Sequence, residues 1–271
     1  MNKLATAAAI TLAAASALAT PGTIRTANEQ RSGDIKWQAA KKQYLLVIKD
    51  KSGSEMSFNY APEDVVSLDI PEPANYKALV AAVSSGRGTG AIQGLSAIVQ
   101  EYKKLNWDKP AARWLVEAYL QANNPQKAYD MAQTMINEDK SYAYTGDLAP
   151  AYWQVLLKLG KTPQLENCLA KAAASGDRLA SANALVMRGD VILANGADTP
   201  ETYRRALIDA FLRVALMYTD EECNPARAAA YEKCAFCFDK LGWAQYAEEM
   251  RTNARSVQFS EQLGPGAKGG K

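Results

Sequence analysis

The stretch YEKCAFCFDKLGWAQYAEEM, Tyr231 to Met250, carries a Cys-x-x-Cys within what reads as a helical hairpin. Either the two cysteines form a redox or metal site, or they are small apolar side chains that a helix uses for packing. Gly242 sets the phase, because a glycine can take the left-handed conformation that ends a helix. Counted back from that turn, Tyr231, Cys234, Ala235 and Phe238 share one side of the first helix, and Ala247 follows in the second. Cys234 then faces inward, where a buried thiol acts as a small hydrophobe, and Cys237 lies near the same seam. A redox pair needs a thiol activated by a helix N-terminus or a nearby cation, but this pair lies mid-helix. Residues three apart on a helix hold their Cβ atoms ~5–6 Å apart, against ~3.8 Å in a disulfide. A metal would need two further ligands, which Cys168 and Cys223 would have to bring without a second Cys-x-x-Cys. Core packing is the reading. A disulfide from Cys223 to Cys234 or Cys237, and a thiol-dependent redox protein using Cys234/Cys237, are the alternatives to it.

The same turn signal recurs along the chain at Gly86, Asn123, Gly160, Gly196 and Gly242, at spacings of 37, 37, 36 and 46 residues. Four residues before these anchors stand Ala82, Tyr119, Leu156, Ile192 and Phe238, and seven before stand Leu79, Val116, Trp153, Gly189 and Ala235. Five after stand Ala91, Ala128, Leu165, Glu201 and Ala247. Apart from Glu201 these are apolar or small positions at helical spacing on both sides of a turn, the pattern of stacked helical hairpins. The fourth unit fits if about six residues are inserted before its second helix, with Leu207, Phe211, Val214 and Tyr218 as its stripe. A second insertion around Glu221–Pro225 accounts for the longer last interval.

This pattern resembles the tetratricopeptide repeat (TPR), whose first helix carries Trp-x-x-Leu-Gly-x-x-Tyr and whose second carries Ala-x-x-x-Phe, with a period of ~34 residues. The residues that carry the resemblance are Tyr231-x-x-Cys234-Ala235-x-x-Phe238 with Ala247, Ala112-x-x-Leu115-Val116-x-x-Tyr119 with Ala128, and Ala149-x-x-Tyr152-Trp153-x-x-Leu156 with Leu165 and Leu169. Arg205 and Arg251 depart from it, standing where a bulky apolar residue belongs. The resemblance spans residues 76–257 and implies a mainly α fold, a right-handed superhelical solenoid of about five helical hairpins. It also implies a job. In this family the first helices line a concave groove that holds a protein or peptide partner. The groove slots lie two, three, six and ten residues before each anchor and contain Arg113, Glu117, Gln154, Lys158, Asp190, Glu232, Phe236 and Asp239. The lysine- and asparagine-rich clamp that some relatives use for a C-terminal carboxylate is not reproduced.

Ahead of the repeats the texture differs. GTIRTA, RSGDIKW, KQYLLVIKD, SEMSFNY and VVSLDI are short runs rich in β-branched and aromatic residues, separated by breakers. In KQYLLVIKD, Tyr44, Leu46 and Ile48 share one face. Five strands in so short a stretch, residues 22–70, predict a small all-β module that curls like an SH3-like barrel. DIPEPANY supplies a linker at residues 71–75, and the module is expected to cap the first hairpin. At the other end SEQLGPGAKGGK has no apolar face, so residues 258–271 read as a disordered tail.

The N-terminus, MNKLATAAAITLAAASALATPG, places a lysine before an alanine-rich apolar run and ends it in Ala17-Leu18-Ala19, the small-residue pattern of signal cleavage. Residues 1–19 are read as a Sec-type signal peptide. No later stretch is apolar enough to span a membrane, and Cys168, the first cysteine, lies far from the cleavage site, so no lipid is attached there. The expected location is periplasmic or secreted, and either compartment permits disulfides.

Composition narrows the chemistry. The chain has no histidine, which removes Ser-His-Asp and Cys-His catalysis and His-ligated zinc together. Its 31 basic and 29 acidic residues leave a net charge of +2, so no basic surplus points to nucleic acid. SSGRGTG, Ser84–Gly90, lacks the lysine of a phosphate loop and follows a helix, so it reads as a turn. Glu221-Glu222 and Glu248-Glu249 read as solvated charge. Trp107, Trp114, Tyr119, Tyr152, Trp153, Phe238 and Trp243 fall on the packing phase, and Phe236 faces the other way. The function that follows is that of an exported, non-enzymatic scaffold or adaptor in cell-envelope assembly, without a cofactor. The alternative is a self-associating structural envelope protein, which would be a homo-oligomer.

Overall fold

The computed structural model describes residues 20–49 and 53–262. The leader expected at residues 1–19 and the end of the expected tail, 263–271, lie outside the described residues. The chain divides into two compact units. Among the described residues, one takes those from Thr20 to Ala81 together with Gln93–Ala111, and the other takes Ala82–Ile92 and those from Ala112 to Gln262.

In the first unit, β1 (Thr20–Thr26), β2 (Gln30–Gln38), β3 (Gln43–Lys49), β4 (Glu55–Tyr60) and β5 (Val65–Asp69) form one antiparallel sheet in the order β4-β3-β2-β1-β5. Period-2 alternation sends one set of side chains inward. Ile35 stands opposite Leu46, Leu46 opposite Phe58 and Ile24 opposite Leu68. Ile24, Ile35 and Leu46 are buried, and Tyr44 and Ile48 pack against them, so the face that Tyr44, Leu46 and Ile48 share is the inner one. Residues far along the chain complete this core. Leu105 is buried in it, the Trp107 indole N–H donates to the Ile70 carbonyl at 2.9 Å, and the Asn106 amide donates to the Leu68 carbonyl at 2.8 Å. The sheet unit therefore reaches past the linker expected at 71–75. Trp107, expected on the helical packing phase, belongs to the sheet.

The remaining elements are helical: α1 (Tyr76–Ser84), α2 (Gly88–Glu101), α3 (Asp108–Gln121), α4 (Pro125–Glu138), α5 (Leu148–Lys158), α6 (Thr162–Ala174), α7 (Arg178–Asn195), α8 (Pro200–Ala206), α9 (Leu212–Met217), α10 (Asn224–Lys240) and α11 (Ala244–Gln262). Four of the five expected turns are built alike. Gly86, Asn123, Gly160 and Gly242 have φ of 78°, 53°, 63° and 75°. In each, the anchor N–H donates to the carbonyl three residues back: Val83, Leu120, Leu157 or Asp239. The next N–H donates to the carbonyl four residues before the anchor, that of Ala82, Tyr119, Leu156 or Phe238, at 2.8 to 2.9 Å. This is the Schellman closure that satisfies the last carbonyls of a helix. The Gln121 amide ties the second hairpin to the first turn, donating to the Val83 carbonyl and accepting from the Gly88 N–H.

The seam positions close as expected in the third and fifth hairpins. Ala149, Tyr152, Trp153, Leu156, Leu165 and Leu169 are buried, as are Tyr231, Cys234, Ala235, Phe238 and Ala247. In the third, fourth and fifth hairpins the first helix meets its own second helix and any first helix that follows: α5 packs on α6 and α7, α7 packs on α8 and α10, and α10 packs on α11.

The fourth hairpin departs from the expectation. Gly196 has φ −84° and ψ 156°, outside the left-handed region. The second helix starts only two residues later than in the other hairpins, since α8 begins at Pro200 on a Thr199 cap, four residues after Gly196. The remaining length lies in the second helix itself, which runs from Pro200 to Met217 and changes phase at a π-helical turn over Leu207–Phe211 that joins α8 to α9. Leu207, Phe211 and Val214 are buried as the stripe requires, and Tyr218 is half-buried. Two further corrections concern the C-terminal region. Trp243, expected in the core, is 45% exposed and stacks on Phe238 at 5.9 Å, the apolar contact that accompanies a Schellman turn. The tail expected from residue 258 is helical as far as Gln262, where α11 ends, and the rest of it lies outside the described residues.

Candidate protein-binding face

The anchor-minus-six side chains of two successive first helices, Gln154 and Asp190, meet. From α5, the Gln154 amide donates to Asp190 Oδ2 of α7 at 3.1 Å. From α10, Lys233 Nζ lies 2.6 Å from the other oxygen, Asp190 Oδ1. The Asp190 side chain is only 9% exposed, and a carboxylate held this far from water needs both partners. Three consecutive first helices are thus bridged by one polar chain. Of the expected face residues, it joins Gln154 and Asp190.

Arg113 and Glu117 form a second pair on α3, with nitrogen and oxygen 3.4 Å apart. The Arg113 guanidinium also lies 3.6 Å from the Trp114 ring centre. Its Nε is buried and makes no hydrogen bond among the described residues. Arg113 borders a cleft of about 280 Å³ whose other walls include Pro150, Trp153, Asp177, Asn183 and Pro225, from the starts of α5, α7 and α10.

Phe236 is 45% exposed. Its ring meets the edge of Tyr203 at 6.0 Å, and Lys240 Nζ lies 5.9 Å from it. Lys240 also approaches the Tyr203 ring, and the Tyr203 hydroxyl donates to Asp198 at 2.5 Å. Lys158 and Glu232 are exposed and take no part in the bridge. Asp239 pairs with Arg251 of α11, so its carboxylate is directed to its own hairpin's second helix. Slot counting missed Lys233, which lies nine residues before Gly242, outside the expected spacings. Its long stem carries the ammonium to Asp190 from a position outside those slots.

The thiols stand apart from this face. Cys234 and Cys237 have no exposed surface and share a core cluster with Tyr203, Leu207 and Phe211. Burial pushes the Cys234 thiol up to about 12 and the Cys237 thiol up to about 11, with nearby Lys233 pulling the latter part of the way back. A thiol so placed carries almost no thiolate at neutral pH, the opposite of what nucleophilic or redox use requires. Cys168 and Cys223 are also buried, and all four cysteines are free thiols, so no disulfide joins Cys223 to Cys234 or Cys237. Among the described residues no helix is long and apolar enough to cross a membrane.

No protein-family model matches the chain, and no curated protein matches it. Among solved structures it is similar to the nearly identical TPR-like repeats assigned to a kinesin light chain of Podosopora anserina, at 16% identity and a TM-score of 0.36 over 70% of this chain and 95% of that one. A single-substitution variant of those repeats matches at 17% identity with the same TM-score and coverage. Superposition at that level is loose, and the hairpin repeat rests on the chain's own turns and packing.

Proposed function

We propose that the chain is an exported, non-catalytic TPR-like scaffold that holds a protein or peptide partner along the face of its first helices. The observation that carries this reading is the Gln154–Asp190–Lys233 bridge, which aligns three first helices into one surface of fixed polar groups. Phe236 stands exposed on α10 as an apolar anchor. Repeats of this kind bind by extended surface rather than by a reactive centre, and the inert thiols fit that use. Export to the periplasm or beyond is supported by the sequence of residues 1–19, a lysine ahead of an alanine-rich run that ends in Ala17-Leu18-Ala19. The order β4-β3-β2-β1-β5, in which the fifth strand returns to the edge of the first, supports an SH3-like reading of the β module.

The test is affinity capture from a cell-envelope fraction, with wild-type protein compared with an Arg113→Glu, Phe236→Ala double variant. A partner retained by the wild type and lost by the variant supports the face. Equal retention by both removes it. A second reading, self-association, is favoured by the exposed Ile208, Leu216 and Met217 on the fourth hairpin. Light scattering at micromolar concentration decides it: a dimeric or larger mass supports that reading, and a monomeric mass retires it.

A further inference from the structure

A second cleft lies on the other side of the third hairpin, away from the first-helix face. It has a volume of about 280 Å³, and its walls come from α4, the turn over Lys140–Tyr144, the back of α5, and α6. At its base is Tyr152, whose hydroxyl accepts from the Gln133 amide at 2.5 Å and from the Gln164 amide at 2.6 Å. Those two bonds hold both glutamine side chains in place. Each amide nitrogen keeps a second N–H, and Asn167 adds another amide at the wall. The rim carries Lys140 and Lys171, both exposed.

The lining of this cleft is one-sided in charge, while Glu138 and Asp139 stand just before Lys140 in the chain. No carboxylate belongs to its lining. Among the described residues neither lysine has an acidic partner: Lys140 Nζ donates to the Asn137 side-chain oxygen at 3.1 Å, and Lys171 Nζ lies 5.8 Å from the Tyr144 ring. Elsewhere on the same helical unit, cations such as Lys233, Arg178 and Arg251 sit directly on carboxylates. Two ammonium groups without carboxylate partners, above pre-positioned amide donors, leave donors in excess within the lining. An anion with several acceptor oxygens supplies what is missing, through charge-assisted hydrogen bonds.

We propose that this cleft is a binding site for a carboxylate. The volume sits at the low end for small-molecule pockets, so the ligand is a small organic acid or the acidic side chain of a peptide, and one carboxylate chemistry covers both. The site shares no residue with the first-helix face, so it stands or falls independently of the scaffold reading.

The experiment is an NMR titration of the isotope-labelled protein at low salt with three probes: sodium glutarate, the blocked peptide acetyl-Ala-Glu-Ala-amide, and its uncharged counterpart acetyl-Ala-Gln-Ala-amide. Shifts in the amides around Lys140, Gln164 and Lys171 under glutarate alone assign the site to a free acid. Shifts under the glutamate peptide, and none under the glutamine peptide, assign it to an acidic side chain. Lys140→Gln and Lys171→Gln should each weaken binding by about fivefold, and the double variant by tenfold or more. Both positions are exposed, so a far-ultraviolet circular dichroism spectrum matching the wild type confirms that the fold is kept. Raising the salt should weaken binding further. The proposal is overturned if neither carboxylate probe shifts those amides at 20 mM (roughly the weak end of specific binding), if the glutamine peptide binds as well as the glutamate peptide, or if the double variant binds as the wild type does.

Discussion

The third and fourth hairpins fill the same seam from opposite helices. In the third, the position seven before the turn is Trp153, a fully buried side chain supplied by the first helix, with its indole N–H on the Ala143 carbonyl at 2.8 Å. In the fourth, the same position is Gly189, and a Cβ placed there would lie 2.3 Å from the Phe211 ring. Phe211 comes from the π-helical turn of the second helix. The turns differ in the same way. Gly160 is needed for its φ of 63°. Gly196 has an ordinary φ and is needed for space, since a Cβ would lie 2.5 Å from Thr202 Cγ2 and 2.7 Å from the Ile192 carbonyl. What the repeats conserve is the filled volume of the seam, and the helix that supplies it can change.

The largest effects should come from emptying or overfilling that seam. Trp153→Ala should cost about 3–5 kcal/mol by urea denaturation, from the cavity and the orphaned carbonyl. Gly189→Leu restores the residue type of the first hairpin's slot and should still cost about 3 kcal/mol through overpacking against Phe211. Adding Phe211→Ala to Gly189→Leu should recover part of that loss. If the two costs simply add in the double variant, Phe211 is not what excludes a side chain at 189.

Alkaline pH probes the core under the fourth hairpin, where Cys234 and Cys237 sit. Their folded-state values, about 12 and about 11, lie above the ordinary thiol value of 9.0. Above pH 9 the unfolded chain releases protons that the folded chain keeps, so the unfolded state binds fewer protons and stability falls as pH rises. The stabilisation is complete below pH 9 and is lost between there and pH 11 to 12, at about 1.4 kcal/mol per pH unit for each thiol. Urea midpoints across that window should decline, and a Cys234→Ala, Cys237→Ala variant should decline less. Equal slopes would mean that the thiols are not the titrating groups.

The two turns separate under asparagine. Gly160→Ala should cost about 1–2 kcal/mol, and Gly160→Asn should cost clearly less, as Asn123 already performs that turn. At Gly196 alanine and asparagine should be equally harmful, because both add the same Cβ. Asparagine rescuing both positions would show that conformation, not space, governs Gly196. The smallest effects belong to the caps of the fourth hairpin. Asp177 accepts from the Ala180 N–H at 2.9 Å and Thr199 from the Thr202 N–H at 3.4 Å. Asp177→Ala should cost about 1 kcal/mol and Thr199→Ala about half that in thermal melts.

The same contrast explains what was legible in the sequence. Turn glycines announce themselves when φ is the constraint, and Gly86, Asn123, Gly160 and Gly242 were readable for that reason. Strand alternation grouped Leu46 with Tyr44 and Ile48 on one face without telling which face is inner, and helical phase exposed Cys234. Gly196 carried the same letter for another cause, and nothing local distinguishes the two. The π-helical turn was hidden because a one-residue phase shift within a helix looks like an insertion before it. Lys233 was missed because its reach depends on a neighbour 43 positions away, Asp190 on α7. Trp107 was misread because a tryptophan between helices gives no sign that its indole will serve a sheet.

That last residue has a consequence for biosynthesis. Trp107 bonds to Ile70 across 37 positions of chain, and Leu105 enters the same core. All five strands therefore emerge from the ribosome before the residues that close over them, with Ile24, Ile35 and Leu46 uncovered in the meantime. Non-local closure of this kind is slow and leaves apolar surface open to wrong partners. A nascent chain halted near residue 75 should be a client for holding chaperones, and one released beyond Trp107 should not.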